Sequence, residues 1–225
     1  MSIEPFAVID CSLIRFATGR ICSNLRELLE GIRTVPDMVL EHHIVRCPLE
    51  DHFELYEFPN DLARWCWDAL GEHVLGEQLA LVDPYQARSI EALRAELINA
   101  IEERVWALDH MPMCAPGLEL HWVGSQLVAY DTGDRLATPT ALVEALPRMS
   151  PRSLFYHVHD ARRRTDKDTD DFSNWLEEYG ADATLVEKLR SIDFYFLNLN
   201  QLRARILETF SQYGFATESH ARVTV

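Results

Sequence analysis

The feature that most restricts how this chain can fold is that it is written twice. NDLARW at residues 60–65 returns as DDFSNW at 170–175, and at the same offset of 110 VDPY (82–85) meets IDFY (192–195). Upstream, an offset of 114 places LLEGI (28–32) on LVEAL (142–146) and His43 on His157. Downstream, an offset of 109 places LRAELI (93–98) on LRARIL (202–207). The order of matches never breaks, and that is the signature of a repeated structural unit. The expected organisation is a first copy over 14–106, a hinge over 107–119 at HMPMCAPG, a second copy over 120–213 and a tail over 214–225.

Each copy reads mainly as helix. In FPNDLARWCWDAL, Asn60 or Asp61 offers a side-chain oxygen to the free N–H groups of a helix start, and Leu62, Trp65 and Ala69 recur at helical spacing. In TDDFSNWLEEYG the cap falls to Thr169 or Asp170, the buried face to Phe172, Trp175, Leu176 and Tyr179, and the stop to Gly180. Trp65 and Trp175 are therefore expected as buried anchors; the competing reading is a carboxylate-and-tryptophan platform for a sugar ring. RSIEALRAELINAIEERVWAL and LNQLRARILETF are longer amphipathic helices, with Ser89 capping the first. FAVIDCSLIRFATG and LELHWVGSQLVAYDTG, which precede the first helix of each copy, alternate and are rich in β-branched and aromatic residues, so each predicts a short strand element. The fold class expected is mainly α with minor β: two homologous helical repeats, each preceded by a short strand element.

Charge narrows the partners. Against 21 Lys and Arg stand 36 Asp and Glu, a formal net charge of -15, and such a surface repels both phosphate backbones and anionic lipid. Neither nucleic acid nor a membrane is an expected partner. No apolar run approaches the roughly 20 residues that span a bilayer, and the N-terminal stretch does not read as a secretory signal. Five cysteines, none in a CxxC pair, fit a reducing compartment and a cytoplasmic protein.

The sequence lacks a glycine-rich phosphate loop, a nucleophile elbow and a zinc-protease motif. No catalytic residue is assigned, no cofactor is expected, and the reading leans away from an enzyme. The most suggestive chemistry is the run His157-Val158-His159-Asp160 with Arg162, Arg163 and Arg164 behind it. His157, His159, Asp160, Arg162 and Arg163 are the candidate ligand-binding residues, with a sugar phosphate as the ligand that two arginines would suit. A metal held by His43, His157, His159 and Asp160 is an alternative, and histidines that bond within the fold are the bland one. His52 adds a further histidine to the first copy. The arginines could equally pair with Asp166, Asp168, Asp170 and Asp171.

Tyr156-His157 with the following arginines, DDFSNWL, the VDPY/IDFY pair and LNQLRARI, in this order and doubled, resemble an uncharacterised prokaryotic family carrying a duplicated domain of unknown function. The first copy departs from its pattern at His42-His43 and at CPLEDHFELYEF. Members of that family are often encoded near glycosyltransferases or fused to them. The resemblance implies an interaction or regulatory module of carbohydrate metabolism, with a glycosyltransferase or similar enzyme as partner, and brings no active site with it. The alternative is a small enzyme or ligand-binding protein with its site between the two copies.

Overall fold

The computed structural model describes residues 3–50, 58–164 and 168–215. His52, Asp166 and the tail from residue 216 onward lie outside the described residues. Helix accounts for 55% of the structure, and one antiparallel two-stranded sheet accompanies it. The strands β1 (Phe6–Cys22) and β2 (Leu120–Leu136) are each 17 residues long, so the expected short elements are in fact extended ones. The difference is physical. The alternation runs on past the Thr-Gly pairs because Gly19 and Gly133 take positive φ (76° and 87°) inside the strands, where another residue would be strained.

The chain forms two compact units: Leu13–Leu127, called here the continuous unit, and Met1–Ser12 with Val128–Val225, called the split unit. Both boundaries fall inside strands, so residues 120–127, which the sequence groups with the second copy, belong to the continuous unit.

The continuous unit holds α1 (Leu25–Thr34), α2 (Asp37–Glu41), α3 (Asp61–Asp68), α4 (His73–Ala80) and α5 (Ile90–Ala107). Each start is specified locally. The side chains of Asn24, Asn60 and Ser89 accept from the free N–H groups of α1, α3 and α5. Helix α1 packs on α5, and α3 on α4, around Leu28, Ile32, Leu62, Leu75, Leu79, Leu93 and Leu97. Trp122 of β2 is 1% exposed and lies on Gly31, where even a methyl group would collide with the indole. The segment expected as a hinge is tied down at Met113, which bridges Asn24, and at Cys114, whose N–H donates to Ser23.

The split unit holds α6 (Pro139–Ala145), α7 (Pro151–Phe155), α8 (Ala161–Arg164), α9 (Asp171–Tyr179), α10 (Ala183–Arg190) and α11 (Leu199–Gln212). Asp170 caps α9 by accepting from Ser173, and Gly180 ends it in the left-handed region with φ 79°. Asn198 and Gln201 close a reciprocal capping box on α11. Phe155, Phe172, Leu176, Leu185, Leu202, Ile206 and Phe210 fill the core. In both units a π-helical turn follows a short helix, His42–Arg46 after α2 and Tyr156–Asp160 after α7. Such turns insert one residue into the helical ladder and are frequent at functional sites.

Candidate functional site

The continuous unit contains a cavity of about 460 Å³, within the size range of small-molecule sites. Its wall is built from four places in the chain: Arg15 on β1, His42 and His43 on the π turn with Glu50 after it, Asp61, Arg64, Trp65, Asp68 and Ala69 at α3, and Leu118 to His121 with Val123 at the start of β2. The cap sequence of α3 decides which side chains arrive. Asn60 spends its oxygen on the Ala63 N–H and its amide on the Leu79 carbonyl, so it stays in the scaffold. Asp61, one residue on, is left to face the histidines.

His43 is fully engaged. Its Nε2 accepts the Val123 N–H at 3.1 Å, so the ring proton sits on Nδ1 and is donated to Asp61 Oδ2 at 3.0 Å. Arg64 donates to the other oxygen of Asp61 at 2.8 Å. Burial pushes the Asp61 carboxyl up, but the His43 bond and the neighbouring positive charges outweigh it and hold the group below the usual carboxylate range. A histidine whose second nitrogen is filled by a backbone N–H cannot exchange protons with a substrate. This pair is a brace, not a catalytic dyad.

His42 is different. Its Nδ1 lies 3.1 Å from Ser125 Oγ, and Arg46 donates to the same hydroxyl oxygen and to the Ser125 carbonyl. The Ser125 hydroxyl keeps a second lone pair beside the one that meets Arg46, so it can bond to Nδ1 with the ring proton on either nitrogen. Glu50 lies 4.0 Å from Nε2, beyond hydrogen-bond length. Burial lowers the His42 pKa to about 4, so the ring is uncharged at neutral pH. Glu50 itself is held by Arg15.

Trp65 is buried, as expected of an anchor, at 7% exposure; its indole donates to the Leu118 carbonyl at 2.7 Å, and the residue lines the cavity.

His42, His43 and Asp61 offer ligand atoms within 4.8 Å of one another, a grouping that could hold a metal ion. Coordination would require His43 to give up one of its two bonds, so the donor set suits hydrogen bonding better than metal.

The split unit makes the same set of bonds with other residues. His157 Nε2 accepts the Ile9 N–H at 3.0 Å and Nδ1 donates to Asp171 at 2.8 Å. The Trp175 indole donates to the Glu4 carbonyl at 2.9 Å, as Trp65 does to Leu118. Thr132 donates to the Val8 carbonyl, as Thr18 does to Trp122. Around this brace stand rings: Phe6 lies 4.8 Å from His157 and 5.7 Å from Trp175, and Tyr179 lies 5.3 Å from Trp175.

The residues expected to bind a ligand occupy the π turn and α8 of this unit. His157 is consumed by the brace. His159 is 2% exposed, stacked on Phe155 at 5.1 Å and edge-on to Phe194 at 5.0 Å, and burial lowers its pKa to about 3. The turn is helical, so His157 and His159 do not share a face as they would on a strand. Asp160 pairs with Arg164, which also reaches Asp171, and Arg162 pairs with Asp170 while lying 4.3 Å over Phe194. Arg162 borders a void of only about 10 Å³; Arg163 is half-buried. The structure thus brings His157 to Asp171 and Arg162 to Asp170. The residues missed by sequence reasoning are His42, Glu50, Asp61, Arg64 and Asp68. For the residues on α3 a signal was present in NDLARWCWDA, whose Arg64 and Ala69 stand where DDFSNWLEEY has Asn174 and Tyr179.

Fold and site together define a mainly helical protein, with one long two-stranded ribbon and a polar, tryptophan-edged pocket in one of its two units. The chain belongs to DUF5752, a family of unknown function whose model matches residues 3–211. Among solved structures it is similar to OrfY from Thermoproteus tenax, at 27% identity over 95% of this chain and 97% of that one, with a TM-score of 0.76. Among curated proteins, none matches. Among the described residues no helix is long and apolar enough to cross a membrane.

Proposed function

We propose that this protein is a non-catalytic module that binds one small polar molecule in the pocket of the continuous unit, and that it serves an enzyme of carbohydrate metabolism. The observation that carries the reading is the 460 Å³ cavity with Trp65, His42, two arginines and four carboxylates in its wall. Carboxylates that accept from hydroxyls beside an aromatic edge are the chemistry that sugars need. The absence of catalysis is supported by the His43–Asp61 brace, which has no free nitrogen, and by the thiols. Burial pushes Cys22 up to about 11 and Cys11 to about 12, and lifts Cys47 and Cys66 far above the range of a reactive thiolate.

The reading includes an internal duplication, supported by the matched bonds at His43 and His157, Asp61 and Asp171, Trp65 and Trp175, and Thr18 and Thr132. In that register Leu120 corresponds to Phe6 and Ala69 to Tyr179. One copy of the framework keeps small side chains and an open pocket; the other sets aromatic rings around the same brace. The comparison also supplies a clean test. Ala69→Tyr introduces the residue that the other copy already accommodates, and so should fill the pocket without disturbing the fold. In calorimetric titration against neutral sugars, sugar phosphates and nucleotide sugars, the wild type should bind one equivalent of at least one probe. The Ala69→Tyr variant, with an unchanged melting temperature, should bind it at least 10-fold more weakly. Equal binding by both proteins would move the site elsewhere, and no binding by either would remove the ligand from the account.

A further inference from the structure

The wall of the pocket carries a statement about the charge of its ligand, resting on the reading that the pocket binds a small molecule at all. Two positive groups face the cavity, Arg15 and Arg64, and each is held by a carboxylate of the same wall, Glu50 and Asp61. Two more carboxylates, Asp68 and Glu119, line the cavity. Among the described residues neither has an ion-pair partner, and Glu119 accepts the backbone N–H of Gly117. The titratable groups that remain are His42, His43 and the exposed His121. His42, 3% exposed, lines the cavity as an uncharged ring, with Glu50 4.0 Å from its Nε2. The wall therefore offers one uncharged ring that can donate or accept and, among the described residues, a surplus of two negative charges.

We propose that the pocket selects an uncharged, hydroxyl-bearing ligand and rejects the phosphorylated form of the same molecule. A hydroxyl can bond to the uncharged His42 ring as donor or acceptor and donate to Asp68 or Glu119. A phosphoryl group can only accept, brings about two negative charges at neutral pH, and meets four carboxylates against two arginines that already pair with Glu50 and Asp61. Like charges brought together inside a partly enclosed wall repel far more strongly than they would in open water.

The experiment is titration calorimetry of the full chain with matched pairs: D-glucose against glucose 6-phosphate, galactose against galactose 1-phosphate, and maltose against maltose 1-phosphate. A neutral member should bind at least 10-fold more tightly than its phosphate. In the Asp68→Asn/Glu119→Gln variant, which alters two side chains at the rim and none in the core, that ratio should fall at least 3-fold. A phosphate that binds as tightly as its neutral partner would overturn the selectivity while leaving the pocket reading intact. Heat from neither series would count against the pocket reading itself.

Discussion

Single side chains show how the same residue can be anchor and wall. Trp65 and Trp175 sit at 7% and 8% exposure, each with its indole N–H on the carbonyl of a residue two before a strand. Truncating either to Ala should cost about 3–5 kcal/mol, the range for large core aromatics, read as a shift in denaturant midpoint. Trp175→Phe, which keeps a ring but drops the bond to Glu4, should cost less, though more than the roughly 0.5–1.5 kcal/mol of a lone hydrogen bond because the smaller ring leaves a gap. A Trp175→Ala protein as stable as wild type would contradict the anchor role. The histidines add a pH dependence. His42 and His159 have folded pKa values depressed to about 4 and about 3 by burial, below the roughly 6.5 of an unfolded histidine. The unfolded chain thus takes up these protons first. The stability they contribute is complete above pH 6.5 and is lost as pH falls towards the folded values, at about 1.4 kcal/mol per pH unit for each. Denaturant titrations between pH 7 and 4.5 should show that slope, and His159→Phe should remove one histidine's share. A flat profile in the wild type would mean that neither ring is held neutral.

Elements differ in how openly the sequence declares them. Helix starts were legible because a cap is a local event: Asn60, Ser89 and Asp170 each bond to an N–H three residues on. The strands were legible as strands but not in length, because the Thr-Gly pairs read as ends while Gly19 and Gly133 let the backbone continue through them. The π turns were not legible at all. HHIVR and YHVHD carry no signature of the inserted residue, and what it achieves depends on a strand from elsewhere in the chain. That dependence is itself testable. Residues 3–12 supply the N–H for His157, the carbonyl for Trp175 and the Phe6 ring of the split unit. Deleting residues 1–12 should speed amide hydrogen exchange across α9 to α11 by more than 10-fold and leave α3 and α5 close to wild type. Uniform loss of protection across both units would show that the strand segment does not act on one unit alone.

At the scale of the whole molecule, the proposed duplication ties together what the sequence revealed and what it hid. The residues that it pairs, His43 with His157 and Asp61 with Asp171, build the same His–Asp bond in each unit. The differences were sought in the second copy, where HVHDARRR is conspicuous, yet those side chains meet one another and the local core: Arg162 with Asp170, Arg164 with Asp160 and Asp171. The pocket lies in the continuous unit, with Ala69 and Leu120 in its wall, and a missing ring leaves no conspicuous mark in a sequence. Ala69 and Leu120 stand out only beside Tyr179 and Phe6. Isotope-labelled indole N–H resonances test the central claim most directly, since the chain has five tryptophans and each gives one signal. On titration with the neutral sugar that binds, the Trp65 signal should shift to saturation at one equivalent while the Trp175 signal stays in place. A shift at Trp175 with Trp65 unmoved would put the ligand in the split unit and contradict the account.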